Sequence, residues 1–253
     1  MKEIEDAYGH ALFDQMSGKT RSGYGEFERH VQIPVERDDG MIDTHSASLY
    51  FSIYEDWPAF QREAIALAKG RVLDIGCGAG RHSLHLQDQG LSVLGIDTSP
   101  LAIDICKERG VRETLLMSIS QINRSLGTFD TILMLGNNFG LLQDRQRAAR
   151  LLNRLHKVTT ASARIIAETL DPYNTDDPFH LEYHRRNREL GRMPGQVRIR
   201  VRYRKYKTPW FDYLFVSTKE MQEVIAGSGW KITRFFDSPG SLYISILEKD
   251  GPR

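Results

Sequence analysis

The sequence has only two cysteines among its 253 residues, Cys77 and Cys106, which is too few for a disulfide framework. It has no apolar run long enough to cross a bilayer. Its first residues, MKEIEDAYGHALFDQ, are too acidic and too weakly apolar for a signal peptide. These absences argue against a disulfide-rich secreted protein and against a membrane protein. We therefore expect a soluble cytoplasmic protein with reduced thiols and no membrane partner.

Net charge is also nearly absent, because the formal charges sum to +1. This total hides one basic segment, residues 184–207, which holds eight arginines and two lysines against a single acid. The segment carries +9, so the rest of the chain carries −8. Within it, VRIRVRYRK alternates apolar residues with arginines, which predicts a half-buried strand with one arginine face. We favour a solvated face paired to acids, and recognition of an acidic substrate or a nucleic-acid backbone is the alternative.

Short apolar runs alternate with helical patterns from about residue 70 onward, which predicts a mostly parallel sheet with helices on both faces. Seven runs are predicted strands: 71–75, 91–97, 114–119, 129–135, 163–170, 230–236 and 241–249. The turn DSPG between the last two is too short to hold a helix, so the final strand is expected to run antiparallel.

The predicted fold class is therefore α/β. We expect a Rossmann-like, seven-stranded, mostly parallel sheet with an antiparallel final strand. An N-terminal helical extension, residues 1–69, is expected to act as a lid on a domain formed by residues 70–253. Residues 171–216 are predicted to be a β-rich insertion on the substrate side of that domain.

The stretch RVLDIGCGAGRHS places a glycine-rich turn between a predicted strand and a predicted helix. Such a turn directs backbone N–H groups and the positive end of the helix toward a ligand. The dinucleotide fingerprint G-x-G-x-x-G needs a third glycine where Arg81 stands. No G-K-[ST] follows the turn, which argues against a P-loop. Asp74, just before the turn, would repel a pyrophosphate but suits a ligand with an ammonium group and a sulfonium, such as S-adenosylmethionine.

Asp97 ends the next predicted strand, 21 residues after Gly76. A carboxylate at that place accepts hydrogen bonds from both hydroxyls of a ribose. It therefore indicates a nucleoside without choosing between a dinucleotide and a methyl donor, a choice that depends on Asp74 and on the glycine spacing.

The stretch VLDIGCGAGRHSLHLQDQGLSVLGIDTSP resembles motif I and the following region of class I S-adenosylmethionine-dependent methyltransferases. FDTILMLGNNFGLL resembles the fourth-strand motif of small-molecule members, and LGNNFG is similar to the glycine N-methyltransferase pattern. The resemblance covers roughly residues 70–170 and 217–248 in the order of its motifs. It implies an enzyme that uses S-adenosylmethionine and releases S-adenosylhomocysteine.

The resemblance also implies a set of cofactor-binding residues. The glycine turn would hold the methionyl part, Asp74 the amino group and Asp97 the ribose, and the residues after the third strand would face the adenine. The fourth-strand residues would lie near the transferred methyl. The full predicted set is Asp74, Gly76, Cys77, Gly78, Gly80, Asp97, Thr98, Met117, Ser118, Gly136 and Asn137. No metal is predicted.

The sequence identifies catalytic residues less clearly than cofactor-binding residues, because methyl transfer needs a general base only if the acceptor arrives protonated. The candidates lie where connecting loops meet the C-terminal ends of predicted strands. They include Glu168 and His184, and those retained are Asn137, Asp171, Tyr173 and His180. Lid candidates are Tyr24, Tyr50 and Tyr54.

Three functions remain open from the sequence alone. The first is methyl transfer to a small molecule at nitrogen or oxygen, and the second is methylation of RNA or another nucleic acid through residues 184–207. The third is a module that binds the cofactor without catalysis. The first is favoured, because LGNN lacks the NPPY-type tetrapeptide that holds a flipped adenine. The sequence does not indicate an oligomeric state.

Overall fold

The computed structural model describes residues 2–18 and 30–250, so the predicted lid residue Tyr24 lies outside the described residues. The chain divides into two compact units. Unit 1 comprises Met1–Asp56, Gly76–Ser118 and Arg198–Phe211. Unit 2 comprises Trp57–Ile75, Ile119–Val197 and Asp212–Arg253. The predicted boundary at residue 70 and the predicted insertion limits stay predictions.

The described residues form twelve strands and seven α-helices. The strands are β1 (Gln32–Arg37), β2 (Ile42–Ser46), β3 (Arg71–Ile75), β4 (Ser92–Asp97), β5 (Glu113–Leu116), β6 (Phe129–Met134), β7 (Thr159–Leu170), β8 (Gln196–Tyr203), β9 (Tyr206–Lys207), β10 (Phe211–Leu214), β11 (Trp230–Asp237) and β12 (Leu242–Lys249). The helices are α1 (Ala7–Met16), α2 (Ala59–Ile65), α3 (Arg81–Asp88), α4 (Pro100–Glu108), α5 (Arg145–Lys157), α6 (Pro178–Glu189) and α7 (Thr218–Ile225). Within the described ranges, no helix is long and apolar enough to span a membrane.

Seven strands form one mixed sheet in the order β11-β12-β7-β6-β3-β4-β5. The pairs β4–β5, β3–β6 and β6–β7 are parallel. The final strand, β12, is antiparallel to both β7 and β11. The predicted fold class is therefore confirmed, including the reversed final strand.

Two helices of unit 2, α5 and α7, follow from local signals in the sequence. Ser217 and Glu220 form a capping box at the start of α7. On α5, Leu151, Leu152 and Leu155 are buried, and their spacing places them on one face of the helix. These contacts fix the helices that cover this part of the sheet.

The stretch 171–216 contains a helix that the prediction of a β-rich insertion missed. This helix, α6, begins after Asp177, whose side chain accepts a hydrogen bond from the backbone N–H of Phe179. Pro178 occupies the first helical position, where a proline loses no hydrogen bond. The start signal Asp-Pro was present in the sequence, but the basic, weakly periodic residues after it concealed the helix.

A second, antiparallel sheet lies in unit 1, where β1 pairs with both β2 and β8, and β9 pairs with β8. The hairpin β1–β2 turns through ERDDG, and Arg37 pairs with Asp39 inside it at 2.7 Å. The predicted N-terminal helical extension therefore includes a hairpin as well as α1. The sequence of these short strands does not alternate clearly between apolar and polar residues, because Pro34 and several polar residues interrupt the pattern. The strands were therefore not predicted.

One buried carboxylate in unit 1 joins two helix starts. Asp6 caps α1 by accepting a hydrogen bond from Gly9 N at 2.9 Å. Its other oxygen accepts a bond at 2.9 Å from the hydroxyl of Ser99, which is the N-cap of α4. A Cβ on Gly9 would lie 2.3 Å from that hydroxyl, so only glycine lets the two helices approach this closely.

Candidate functional site

The glycine turn of unit 1 is a tight strand-to-helix connection with its backbone in the left-handed region. Gly76, Gly78 and Gly80 have φ values of +72°, +56° and +79°, which L-residues with a Cβ rarely adopt. The N–H groups of Gly76 and Cys77 both donate to Ile96 O, at 2.8 and 3.1 Å. The turn is thereby fastened to the end of β4, and α3 begins directly after it.

Asp97 lies at the end of β4 and ties the neighbouring loops together. Its carboxylate accepts hydrogen bonds from Gly78 N at 3.0 Å and from Ser99 N at 2.9 Å. Its backbone carbonyl accepts one from Met117 N at 2.8 Å. Burial raises the pKa of the carboxyl, and Asp6 adds to the increase, while the backbone hydrogen bonds oppose it. A carboxylate has about four acceptor positions, so Asp97 retains capacity for hydroxyl donors.

Unit 1 therefore brings together most of the predicted cofactor residues. Met117 and Ser118 directly follow β5, whose residue Leu116 is the register partner of Asp97. Thr98 is exposed beside Asp97. This arrangement places the turn, the acid and the residues predicted to face an adenine within one compact unit.

A short 3-10 helix, Ala47–Phe51, covers the glycine turn. A Cβ on Gly78 would lie 3.2 Å from the ring of Tyr50. Arg81 donates to Leu49 O and to the hydroxyl of Ser52, both at 3.0 Å. The aromatic residues of this segment were predicted lid residues, but its attachment through Arg81 was missed.

Arg109 is a second residue that sequence reasoning missed. Its guanidinium donates to Ala79 O inside the turn and to Tyr50 O in the 3-10 helix. It also lies over the ring of Phe51, with the guanidinium carbon 4.9 Å from the centroid. One cation therefore links the glycine turn to the segment above it, and no motif in the sequence marks it.

The hydroxyl of Tyr50 has a polar setting of its own. It lies 3.1 Å from Nε2 of His45, which in turn lies 3.2 Å from the hydroxyl of Tyr8. Burial lowers the pKa of His45, so the imidazole is neutral at pH 7. The contact fixes the orientation of Tyr50 against the turn.

Unit 2 holds the remaining predicted cofactor residues. Asp74 is buried near the end of β3, where it is the register partner of Leu133 on β6. Asn138 donates to Ile75 O at 2.9 Å, which holds the loop after β6 against the end of β3. Gly136 and Asn137 in that loop have φ values of +69° and +65°.

Among the catalytic candidates, Asn137 has the hydrogen-bonding geometry that best suits contact with a ligand. Its backbone carbonyl accepts a hydrogen bond at 2.6 Å from the hydroxyl of Tyr213, a residue that the sequence did not single out. Its side-chain oxygen is buried and has no hydrogen-bond partner among the described residues. That oxygen is able to accept a hydrogen bond from a ligand.

Asp171 and Tyr173 contact each other, because Tyr173 N donates to the Asp171 carboxylate at 2.9 Å. The Tyr173 hydroxyl donates to Glu220 at 2.7 Å. Burial and this bond to Glu220 raise the pKa of Tyr173 to about 12, so the phenol stays protonated at neutral pH and is a poor general base. His180 lies on α6 and is half-buried.

The arginine face of β8 is largely paired, as the favoured interpretation predicts. Arg200 and Arg202 both contact Glu36 on β1, at 2.8 and 3.1 Å. The Arg200 guanidinium holds the pKa of Glu36 below its usual value. Arg204 pairs with Asp14 on α1 at 2.9 Å. These contacts give the arginines a structural role in unit 1.

Among the described residues, no group of three or more His, Cys, Asp or Glu side chains could hold a metal ion.

Comparisons with known proteins agree with this fold. Residues 72–161 match the family described as a methyltransferase domain. A solved S-adenosylmethionine-dependent methyltransferase from Bacteroides fragilis, in complex with S-adenosyl-L-homocysteine, is similar with a TM-score of 0.78 and 23% identity. The similarity covers 98% of this chain and 97% of that one. The recognition of the class I methyltransferase fold is therefore confirmed.

Two curated relatives match parts of the chain. A putative methyltransferase of Bacillus subtilis is 23% identical over 144 residues, 55% of this chain and 58% of the relative. A glycine/sarcosine N-methyltransferase of Parasynechococcus marenigrum is 34% identical over 86 residues, 30% of each chain. This chain thus spans little more than half the length of the Bacillus relative that it matches.

Proposed function

Because the chain has the class I methyltransferase fold and residues 72–161 match the methyltransferase-domain family, we propose that it is an S-adenosylmethionine-dependent methyltransferase. The observation that carries this proposal is the glycine turn fastened to β4, with Asp97 bonded to Gly78 N beside it. These residues fit a nucleoside methyl donor on two grounds. The Asp97 carboxylate keeps capacity for ribose hydroxyls, and the absent Cβ of Gly78 leaves room under Tyr50.

The proposed contacts in unit 1 follow from this geometry. The backbone of Gly76–Gly80, including Cys77, lines the methionyl part, and Asp97 accepts from the ribose. Thr98 lies beside the ribose contact, and Met117 and Ser118 offer an apolar surface and a hydroxyl to the adenine. Tyr50, held by His45, covers the turn as part of a lid.

The proposed contacts in unit 2 concern the amino group and the reacting end. Asp74 offers a buried carboxylate to the ammonium group, an arrangement that a pyrophosphate would not tolerate. Gly136 and Asn137 adjoin the methyl group, and the free oxygen of Asn137 accepts a hydrogen bond from the acceptor's N–H or O–H.

Catalysis then depends on alignment rather than on a strong base. S-adenosylmethionine supplies a methyl group on a sulfonium sulfur, and transfer is an in-line displacement. The chain's own residues orient the two reactants and exclude water, which accounts for much of the rate acceleration in such reactions. Asn137 orients the nucleophile without removing its proton, so an amine or hydroxyl that is neutral on arrival needs no general base.

We further propose that the acceptor is a small molecule methylated at nitrogen or oxygen. Asn137 offers a single acceptor atom that suits an N–H or O–H group, and the aromatic lid of unit 1 suits a compact ligand. The match to a glycine/sarcosine N-methyltransferase is in keeping with this class. Because the arginines at 200, 202 and 204 are paired to acids, nucleic acid is the less favoured acceptor.

The test is methyl incorporation from labelled S-adenosylmethionine into a metabolite extract, with and without nuclease treatment. Labelled small products that survive nuclease are expected. Loss of all incorporation after nuclease would overturn the small-molecule acceptor. Cofactor binding with no incorporation into any extract fraction would favour the non-catalytic module.

Replacing Arg109 by leucine is expected to weaken cofactor binding roughly tenfold, because it removes a charged donor to Ala79 O and Tyr50 O. Calorimetry with S-adenosylhomocysteine measures the change. The matched control is Lys107→Leu in the last turn of α4, just before Arg109, since Lys107 is exposed and pairs only loosely with Asp104, at 3.8 Å. Equal cofactor affinities of the two variants would show that the contacts of Arg109 do not contribute to cofactor binding.

Replacing Arg198, Arg200, Arg202 and Arg204 together by serine is expected to lower the melting temperature while cofactor affinity stays unchanged. The reason is that the ion pairs to Glu36 and Asp14 are lost. The control Glu36→Gln removes the acid that Arg200 and Arg202 pair with but keeps the arginines, and it is also expected to lower the melting temperature. RNA binding that is lost in the first variant and weakens steeply with salt in the parent would instead support a nucleic-acid substrate.

A further inference from the structure

The two cysteines of the chain meet beneath the glycine turn. Cys77 belongs to the turn and Cys106 to α4, and their sulfur atoms are 3.7 Å apart. Neither cysteine is in a disulfide. Cys106 is fully buried, whereas Cys77 keeps 7% of its surface exposed. Of the two, Cys77 is therefore the residue with more access to solvent.

The two sulfur atoms are already in van der Waals contact, and the backbone packs closely around them. A Cβ on Gly95 would lie 3.1 Å from the Cys77 sulfur, and a Cβ on Gly80 would lie 3.1 Å from the Cys106 sulfur. Glycines thus flank both thiols. A disulfide needs the sulfurs to move from 3.7 Å to about 2 Å apart.

We propose that Cys77 and Cys106 form an intramolecular disulfide on reaction with hydrogen peroxide, and that this disulfide weakens cofactor binding. Cys77 sulfur takes one oxygen from peroxide, which leaves water and a sulfenic acid. The Cys106 sulfur then attacks, so the S–S bond forms, the S–O bond breaks and a second water leaves. Two thiols are oxidised to one disulfide, and one peroxide is reduced to two waters.

The effect on binding follows from what the two cysteines hold, and this half of the proposal rests on the proposed function. The Cys106 thiol donates to Gly78 O at 3.2 Å, and that hydrogen is lost in the disulfide. Cys77 N donates to Ile96 O, so a pull on Cys77 toward α4 strains the attachment of the turn to β4. The proposed methionyl contacts of the turn then lose their alignment.

The experiment treats the reduced 253-residue protein with hydrogen peroxide and measures intact mass and S-adenosylhomocysteine binding. The expected product is still a monomer. It has lost two hydrogen atoms, and neither cysteine reacts as a thiol. Its affinity is expected to fall by about tenfold or more and to return with dithiothreitol. The control Cys106→Ser keeps a hydroxyl donor to Gly78 O, binds like the reduced parent, and traps Cys77 as a sulfenic acid that reacts with dimedone.

Each other result counts against the proposal. A parent that forms dimedone adducts or intermolecular disulfides would overturn the intramolecular pair. A disulfide that leaves affinity unchanged would overturn the effect on binding. The intact mass alone shows whether the disulfide forms. If the reduced protein fails to bind S-adenosylhomocysteine, the proposed function is overturned but the result on disulfide formation is unaffected.

Discussion

Gly78→Val is expected to abolish detectable binding of S-adenosylmethionine. Gly78 has a φ of +56°, a conformation in which a β-branched residue is strongly strained. Its added Cβ would also lie 3.2 Å from the Tyr50 ring, so the turn and the lid segment would have to separate. Titration calorimetry with S-adenosylmethionine and S-adenosylhomocysteine measures the loss.

The matched control is Gly90→Val, because Gly90 also has a positive φ, +83°, but a Cβ there meets nothing within 4 Å. This variant is expected to lose some stability from backbone strain while retaining cofactor affinity. Circular dichroism of both variants separates unfolding from loss of the site. If the Gly78→Val protein is folded and binds the cofactor like the parent, the glycine turn is not part of the binding site.

Asp97→Ala is expected to lower cofactor affinity by roughly 10²- to 10⁴-fold, since each hydrogen bond to a charged group contributes about 1.5–3 kcal/mol and a ribose offers two. The change also removes the acceptor of Gly78 N and Ser99 N, which loosens the turn. Asp97→Asn, which keeps one side-chain oxygen, is expected to lose less. Calorimetry measures all three proteins.

Asp88→Ala is the control for Asp97, because Asp88 is an exposed acid at the end of α3. It is expected to bind like the parent. The same titrations include NAD and NADP, because Asp97 alone does not distinguish a dinucleotide from a methyl donor. Tight NAD binding without methyl-donor binding would overturn the assignment and favour an oxidoreductase.

Local chemistry accounts for the parts of the fold that the sequence predicts. The strand before the glycine turn is a short run that is buried from Val72 to Ile75, and the turn needs positive φ at Gly76, Gly78 and Gly80, which glycine supplies. Ser99 caps α4 because its hydroxyl is placed to accept from Ala102 N. Each of these features depends on residues within a few positions of one another.

The parts that sequence reasoning missed depend on contacts between distant residues. Arg109 contacts Tyr50 O across 59 positions, and nothing near Arg109 in the chain marks that contact. Tyr213 bonds to Asn137 O across 76 positions. The helix α6 carries buried Tyr183 and His184 among charged residues, so its apolar periodicity is too weak to read.

The carboxylate shared by α1 and α4 has a consequence for the order of folding. Asp6 and Ser99 are 93 positions apart, so their bond forms only after a long loop has closed, which is entropically costly and slow. The start of α1 is therefore expected to become ordered after α4, and to open together with it. Native-state hydrogen exchange checks this, since the amides of Gly9 and Ala102 would then exchange with one common free energy of opening. If α1 frays while the Ala102 amide stays protected, the two helix starts open independently.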